Sequence, residues 1–251
     1  MLPAQPNQSL ISGLNVLQVL VSAGRPIGSR ELATMLEMEH TRVNRLLGTL
    51  AFLGFAEKTA QRKYRPGPGV HVLAAQSLKG SRLLTAALPV LKELRDPKLT
   101  VALGVLWQGQ VCFLFHARPW HTFEEAIGRH ALWPAEKSSA GVVLLAHRPS
   151  DENLEGIARG NGTLAINFQR IRKQGYTQMV FPNGQVSLGV PIGSPPIAAL
   201  AVSSAEFAAK DIPVVVKKLK DAAAQIQERM ESPATDEPVP DMAILAGLEE
   251  L

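Results

Sequence analysis

Between Ser29 and Arg65 two short helix-forming stretches are followed by a helix-stopping glycine and a basic run punctuated by a turn, and few folds accommodate that order. Ser29 precedes Arg30-Glu31, placing a hydroxyl cap ahead of an acidic first turn, and Leu32, Ala33 and Leu36 then share one helical face. After a turn over Glu37 to His40, apolar residues recur at Val43, Leu46, Leu47, Leu50 and Leu53, the three- and four-residue steps of a helix packed along one side. Thr41, Arg42, Asn44, Arg45 and Thr49 lie between those positions and carry hydrogen-bond donors. Gly54 suits a left-handed helix stop, and Phe55 to Lys58 begins an extended run that turns near Thr59 to Arg62 and returns through Lys63-Tyr64-Arg65. This is the layout of a winged helix-turn-helix.

A fold of that kind offers a helix edge to the major groove of duplex DNA and a hairpin to its backbone. Thr41, Arg42, Asn44 and Arg45 at the start of the second helix are the candidates for base edges, where Arg suits guanine and Asn suits adenine. Ser29 and Arg30 open the first helix and join them as candidates. The hairpin sets Lys58, Arg62, Lys63 and Arg65 against the single acid Glu57, which suits phosphates, and Lys58, Arg62, Lys63 and Tyr64 are its expected contacts. The plainer alternative for each cation is a solvated surface charge.

The 251 residues suffice for two ordinary domains, and 46% hydrophobic composition allows each a core. Charge is uneven: residues 1 to 80 hold nine Lys or Arg against four Asp or Glu, while residues 231 to 251 hold six acids and no base. A net charge of +4 is compatible with a nucleic-acid partner without being diagnostic of one. Cys112 is the sole cysteine, which excludes an intrachain disulfide; it reads as a core thiol. With no basic, apolar leader at the start and no apolar run near the roughly 20 residues that span a bilayer, the expectation is a cytoplasmic protein with no membrane partner.

Elsewhere, Ser9 or Ser12 is expected to cap a first helix reaching about Ala23, with Leu10, Leu14, Leu17 and Val21 packing toward the next two helices. Val70 to Leu78 forms a linker helix after Gly67-Pro68-Gly69, with a boundary near Gly80. Arg82 to Arg95 reads as a helix, Val101 to Trp107 and Val111 to His116 as a hairpin turning at Gln108-Gly109-Gln110, and 117 to 135 as irregular. Helices follow at Ser138 to Ala146 and Asn167 to Gln174, then strands Val186 to Pro191 and Ile197 to Ser203. A last helix, Pro213 to Met230, has an apolar stripe of Val215, Leu219, Ala222, Ile226 and Met230. The domains are placed at 1–68, with linker 69–80, at 81–231, and as an acidic tail at 232–251, where Met242 to Leu251 could form a short amphipathic helix.

In that order the chain resembles the IclR family of bacterial transcription regulators. The resemblance is carried by Gly13-Leu14-Asn15-Val16-Leu17, Glu31-Leu32-Ala33, Val43-Asn44-Arg45-Leu46-Leu47, Leu53-Gly54-Phe55 and Tyr64-Arg65-Pro66-Gly67 in the first domain. In the second, Ser138 to Ala146, Ile171 to Tyr176 and Ser187-Leu188-Gly189-Val190-Pro191-Ile192 look like the family's pocket helix, pre-strand helix end and pocket strand. The resemblance implies an α+β protein: an N-terminal winged helix-turn-helix joined by a linker helix to a GAF-like α/β effector-binding domain with an antiparallel sheet. It implies a homodimer or dimer of dimers on a double-stranded DNA operator, acting as repressor or activator, with a helical lever over 70 to 95. A small-molecule effector, an organic acid or aromatic compound, would bind at Leu106, Ser138, Ser139, Ala140, Gly141, Ser187, Leu188 and Gly189. The chain departs from the family's pattern at Thr177 to Pro182, which is uncharged, and over 117 to 137, which carries Trp120, His121, Glu124, Glu125, Trp133 and Lys137.

No nucleophile elbow or phosphate loop is present, and no cofactor, metal or catalytic residue is assigned. A rival reading, a metal-dependent hydrolase using His116, His121, Glu124 and His130, requires those groups to converge on one ion although their spacing fits no metal signature. A third, a scaffold with a ligand-free second domain, requires a collapsed apolar interior beside Ser138 and Ser187.

Overall fold

The computed structural model describes residues 5–127, 132–148 and 168–232. The tail helix considered at Met242 to Leu251 and His130 lie outside the described residues. The chain divides into two compact units, Met1–Ser81 and Arg82–Leu251. Among the described residues no helix is long and apolar enough to cross a membrane.

In the first unit, helix α1 (Gln8–Ser22) is capped by Asn7, whose Oδ1 accepts from the N–H groups of Ser9 and Leu10 at 3.1 and 3.0 Å. The cap thus lies two residues before Ser9 and five before Ser12, the serines expected to provide it. The inward face is also different: Ser12, Val16 and Leu20 are buried, whereas Leu10, Leu14 and Val21 are 61%, 56% and 40% exposed. Helix α2 (Ser29–Met35) begins one residue earlier than anticipated, with Gly28 at the cap position, so Ser29 is free to bond elsewhere. Helix α3 (His40–Phe52) buries Val43, Leu47 and Leu50. Gly54 follows at φ +75°, a conformation other residues adopt only with strain.

Strands β1 (Ala56–Lys58) and β2 (Tyr64–Pro66) form the wing, with Glu57 opposite Arg65 and Lys58 opposite Tyr64. Ile27 exchanges two 2.8 Å backbone hydrogen bonds with Tyr64 and ties the wing to the α1–α2 connector. Gly67 then crosses so close to the α3–β1 turn that a Cβ there would lie 2.3 Å from the Gly54 carbonyl oxygen. Helix α4 (Pro68–Lys79) buries no residue and ends at Gly80. The stretch expected as one lever is two helices, because α5 (Arg82–Leu94) starts anew after Gly80-Ser81.

The second unit is built on a six-stranded antiparallel sheet of β3 (Thr100–Trp107), β4 (Gln110–Ala117), β5 (Trp133–Pro134), β6 (Thr177–Val180), β7 (Val186–Ile192) and β8 (Ala198–Ser204), in the order β5-β4-β3-β8-β7-β6. Gln108 and Gly109, at φ 48° and 73°, make the tight β3–β4 turn that matches strand twist. Strand alternation splits the sheet's residues between two layers. Leu103, Phe115, Leu188, Val190 and Leu200 face α5 and α8 (Ile212–Glu231), forming one core. Ala102, Ala199 and Ala201 face α6 (Ser139–Ala146) and α7 (Phe168–Gln174) on the other side. All eight residues of α6 are buried, as its unbroken apolar run requires. Strand β5 and the adjoining short turns replace the irregular segment expected there; two residues are too few to show a period in sequence.

Candidate nucleic-acid interface and ligand cleft

On a helix of about 3.6 residues per turn, Thr41, Arg45 and Gly48 lie opposite the buried row Val43, Leu47 and Leu50. A Cβ placed at Gly48 would meet no atom within 4 Å, so the centre of this face is open. Asn44 lies on one flank, where its Nδ2 is 3.2 Å from His40 Nε2, and the same nitrogen is 2.9 Å from Ser29 Oγ. Ser29, His40 and Asn44 therefore link the start of α2 to the first turn of α3. Arg42 lies on the other flank and turns back to α1, donating to Ser12 Oγ at 2.7 Å and to the Gln8 carbonyl at 3.3 Å. It braces α3 against α1. Arg30 is exposed at the start of α2, and Arg25 pairs with Glu31, holding that carboxyl below the usual carboxylate range.

The wing's four cations are not equivalent. Arg65 pairs with Glu57 across the strands at 2.8 Å, and the Lys58 ammonium sits 5.7 Å from the centre of the Tyr64 ring. Arg62, at φ 58°, and Lys63 occupy the tip, which Thr59 closes by hydrogen bonds to both neighbours across the turn. Tyr64, expected to face DNA, is only 8% exposed and belongs to the core of this unit, where β2 turns its ring inward.

The second unit contains a cleft of about 780 Å³ on the α6 side of the sheet. Thr100, Ser203 and Ser187 are aligned across β3, β8 and β7, so their hydroxyls share one row of the floor beside Ala102 and Ala201. Gln185 Nε2 donates to Ser203 Oγ at 3.0 Å. At the inner end the buried hydroxyls of Ser139 and Ser187 are 2.7 Å apart. Ser138 caps α6, its Oγ accepting from Gly141 N–H and its carbonyl from Val142 N–H, both at 2.9 Å. The walls include Phe113, His116 and Phe181, and the rim Arg118, Trp120, Trp133 and Lys137. The rim is completed by Lys98 and Glu206, paired at 2.9 Å; the carboxylate raises the pKa of the Lys98 ammonium.

The chain matches no protein-family model. The HTH-type transcriptional regulator KdgR of Escherichia coli (strain K12) is 30% identical over 193 residues, which cover 70% of this chain and 72% of that protein. The chain belongs to the IclR family of transcriptional regulators. Solved structures agree in fold. An IclR transcriptional regulator from Silicibacter sp. TM1040 matches with a TM-score of 0.72 at 24% identity, over 92% of this chain and 100% of that one. An IclR homolog from Microbacterium hydrocarbonoxydans, complexed with 4-hydroxybenzoate, matches with a TM-score of 0.65 at 23% identity, over 90% and 100%.

In this IclR-family regulator the residues expected at the effector site separate into three groups. Ser138, Ser139, Ala140 and Ser187 line the cleft. Gly141 and Gly189 lie behind it and serve close packing: a Cβ at Gly189 would be 2.6 Å from the Ser139 carbonyl oxygen, and one at Gly141 2.2 Å from that of Ala135. Leu188 is wholly buried on the opposite sheet face, and Leu106 packs near Val111, Ala135 and Leu145 outside the cleft. Leu188 fails as a pocket residue because successive strand residues alternate faces. Sequence reading missed Thr100, Phe113, His116, Arg118, Ser203 and Phe181 as lining residues, although the tryptophans of the atypical 117 to 137 segment were a usable signal. Among the described residues no three His, Cys, Asp or Glu side chains gather as metal ligands. An open, hydroxyl-floored cleft stands where the scaffold reading required a collapsed interior.

Proposed function

We propose that this transcriptional regulator binds a double-stranded operator through the α3 edge and wing of each copy, and that a small organic acid or aromatic compound in the second unit's cleft changes its DNA affinity. Arg45 and Thr41, opposite the core on α3, would meet base edges, with Asn44 reading from the flank that His40 holds. Arg62 and Lys63 would meet phosphates. Ser29 and Arg30 would flank them on α2. Arg42 contributes first by fixing α3 against α1, and reaches a base only if it releases Ser12.

A homodimer or dimer of dimers is supported by α1 itself. Leu10, Leu14, Leu17 and Val21 follow the four-three-four spacing of a helix-pairing seam, and three of the four are exposed. Val72 and Leu73 of α4 are each 53% exposed as well, an apolar surface that a second copy would cover. The proposed organisation is a winged helix over 1–68, a linker helix over 69–80, an effector domain over 81–231 and an acidic tail over 232–251, working in the cytoplasm.

The observation that carries the effector role is the cleft's combination of a hydroxyl floor, a capped helix start and a cationic, aromatic rim. A bound ligand acts by its different affinity for the DNA-competent and incompetent arrangements, a coupling commonly of about 1–3 kcal/mol, and either sign of coupling is open to it. A thermal-shift screen of organic and aromatic acids on the full chain, followed by DNA-shift assays with each hit, tests this. The expected result is a stabilising acid that also alters DNA affinity; a hit that never alters DNA affinity counts against it.

A further inference from the structure

A single imidazole joins the two helices of the helix-turn-helix, and its hydrogen bonds give a neighbouring amide a defined polarity. His40 is the first residue of α3 and is half-buried. Its Nε2 is 3.2 Å from Asn44 Nδ2, one turn on, and 2.9 Å from Ser29 Oγ at the start of α2. An amide nitrogen only donates, so Nε2 presents its lone pair and the ring is neutral, with its proton on Nδ1. The Ser29 hydroxyl, released from capping because Gly28 holds the cap position, donates to the same nitrogen. Arg30 of α2, and Glu37 and Glu39 of the turn before α3, are the charged side chains that line the shallow hollow beside the ring; Arg42 of α3 is drawn away to α1.

Asn44 is exposed, and its side chain makes no other hydrogen bond among the described residues. One amide hydrogen goes to His40. Oδ1 and the second hydrogen remain, an acceptor and a donor side by side, and they match the N6 donor and N7 acceptor of adenine. Turned over, the same amide offers its donor and acceptor in the opposite order, and the match is lost. A neutral imidazole forbids the turned-over form, because Oδ1 and Nε2 would then face each other lone pair to lone pair. A protonated ring has the contrary demand: Nε2–H must donate, and only Oδ1 can accept from it.

Building on the reading of the α3 edge as the base-reading surface, we infer that His40 is a positioning residue for sequence choice. Its neutral imidazole holds the Asn44 amide in the orientation that selects adenine, and protonation of the ring reverses that orientation and abolishes the selection. The phosphate contacts of the wing take no part.

Selection of bound duplexes from a random pool by the full chain at about pH 8 and about pH 5.5, on either side of the ordinary imidazole pKa of about 6.5, tests the inference. Asn44→Ala identifies the base pair concerned as the one whose preference it erases. There the parent should favour adenine about tenfold at the higher pH, as a bidentate contact does, and less than about twofold at the lower. Preferences at the other positions should be unchanged, which reports an intact fold. His40→Ala should lack the adenine preference at both pH values. His40→Gln, whose Oε1 accepts from Asn44 and does not titrate, should keep it at both; a merely structural ring would not make the preference respond to pH at all. An adenine preference that survives the lower pH or His40→Ala, or that His40→Gln also loses at the lower pH, overturns the inference and leaves Asn44 as a base reader. A preference for another base at that position overturns it likewise. If Asn44→Ala alters no position of the selected site, the inference fails together with the reading of the α3 flank on which it rests.

Discussion

Replacing Arg62 and Lys63 together by Ala should flatten the salt dependence of DNA binding by an amount the wing's geometry sets. Four cations occur in the hairpin, but Arg65 is matched by Glu57 at 2.8 Å and Lys58 is drawn over the Tyr64 ring, leaving two at the tip. Each phosphate neutralised contributes about 0.9 to the fall of log K with log salt, so the double variant should lose about 1.8 from the slope. Over a fourfold rise in salt the parent would then lose about tenfold more affinity than the variant. Arg62 is in the left-handed region at φ 58°, and Ala incurs the same backbone cost there as Arg, so the fold is not confounded. Fluorescence anisotropy with a duplex of arbitrary sequence is the assay, since the contact is with the backbone. Arg65→Ala is the control and should leave the slope nearly unchanged. A slope unaltered in the double variant, or flattened as much by Arg65→Ala, would refute this account of the wing.

Gly48→Ala should stabilise the chain by about 1 kcal/mol in urea unfolding, because a helical glycine with open space beside it gains from a methyl; Gly48→Glu should cost at least about tenfold in DNA affinity, and parent-like binding would remove that face from the interface. Leu10→Lys with Leu14→Lys should shift sedimentation toward monomer and weaken operator-length duplex binding, while an unchanged oligomer would show that the α1 stripe is not the seam. Gly189→Ala, whose Cβ would lie 2.6 Å from the Ser139 carbonyl oxygen, should destabilise by about 1–3 kcal/mol and lower the melting temperature, a result incompatible with a freely adjustable α6. Burial pushes the Cys112 thiol pKa up, so near pH 8 it stays protonated longer than a free thiol and should alkylate more slowly in the native chain than in denaturant; equal rates would contradict its packing.

Much of the architecture is legible in the amino-acid order because it rests on local rules. The apolar steps from Val43 to Leu50 define α3, Gly54 must end it in a left-handed conformation, and Gln108-Gly109 supplies the two positive φ values of a tight hairpin. Those features depend on neighbours a few residues away. Helix α1 marks the limit: it is apolar on two sides, and periodicity alone could not say that Ser12, Val16 and Leu20 turn inward while Leu10 and Leu14 stay out.

What tertiary structure alone decided is which distant groups share a space. Strand register set Thr100, Ser203 and Ser187 in one row and sent Leu188 to the opposite core, and the absence of a side chain at Gly189 let α6 approach until Ser139 met Ser187. Folding also turned Arg42 back to Ser12 and buried Tyr64, although both read from sequence as groups facing DNA, and it matched Arg65, one of the hairpin's four cations, with Glu57. The physical reason is common to every case. A residue's own type and its near neighbours determine the local shape of the backbone, but a side chain's partner is chosen by long-range packing, and short-range periodicity carries no record of that choice.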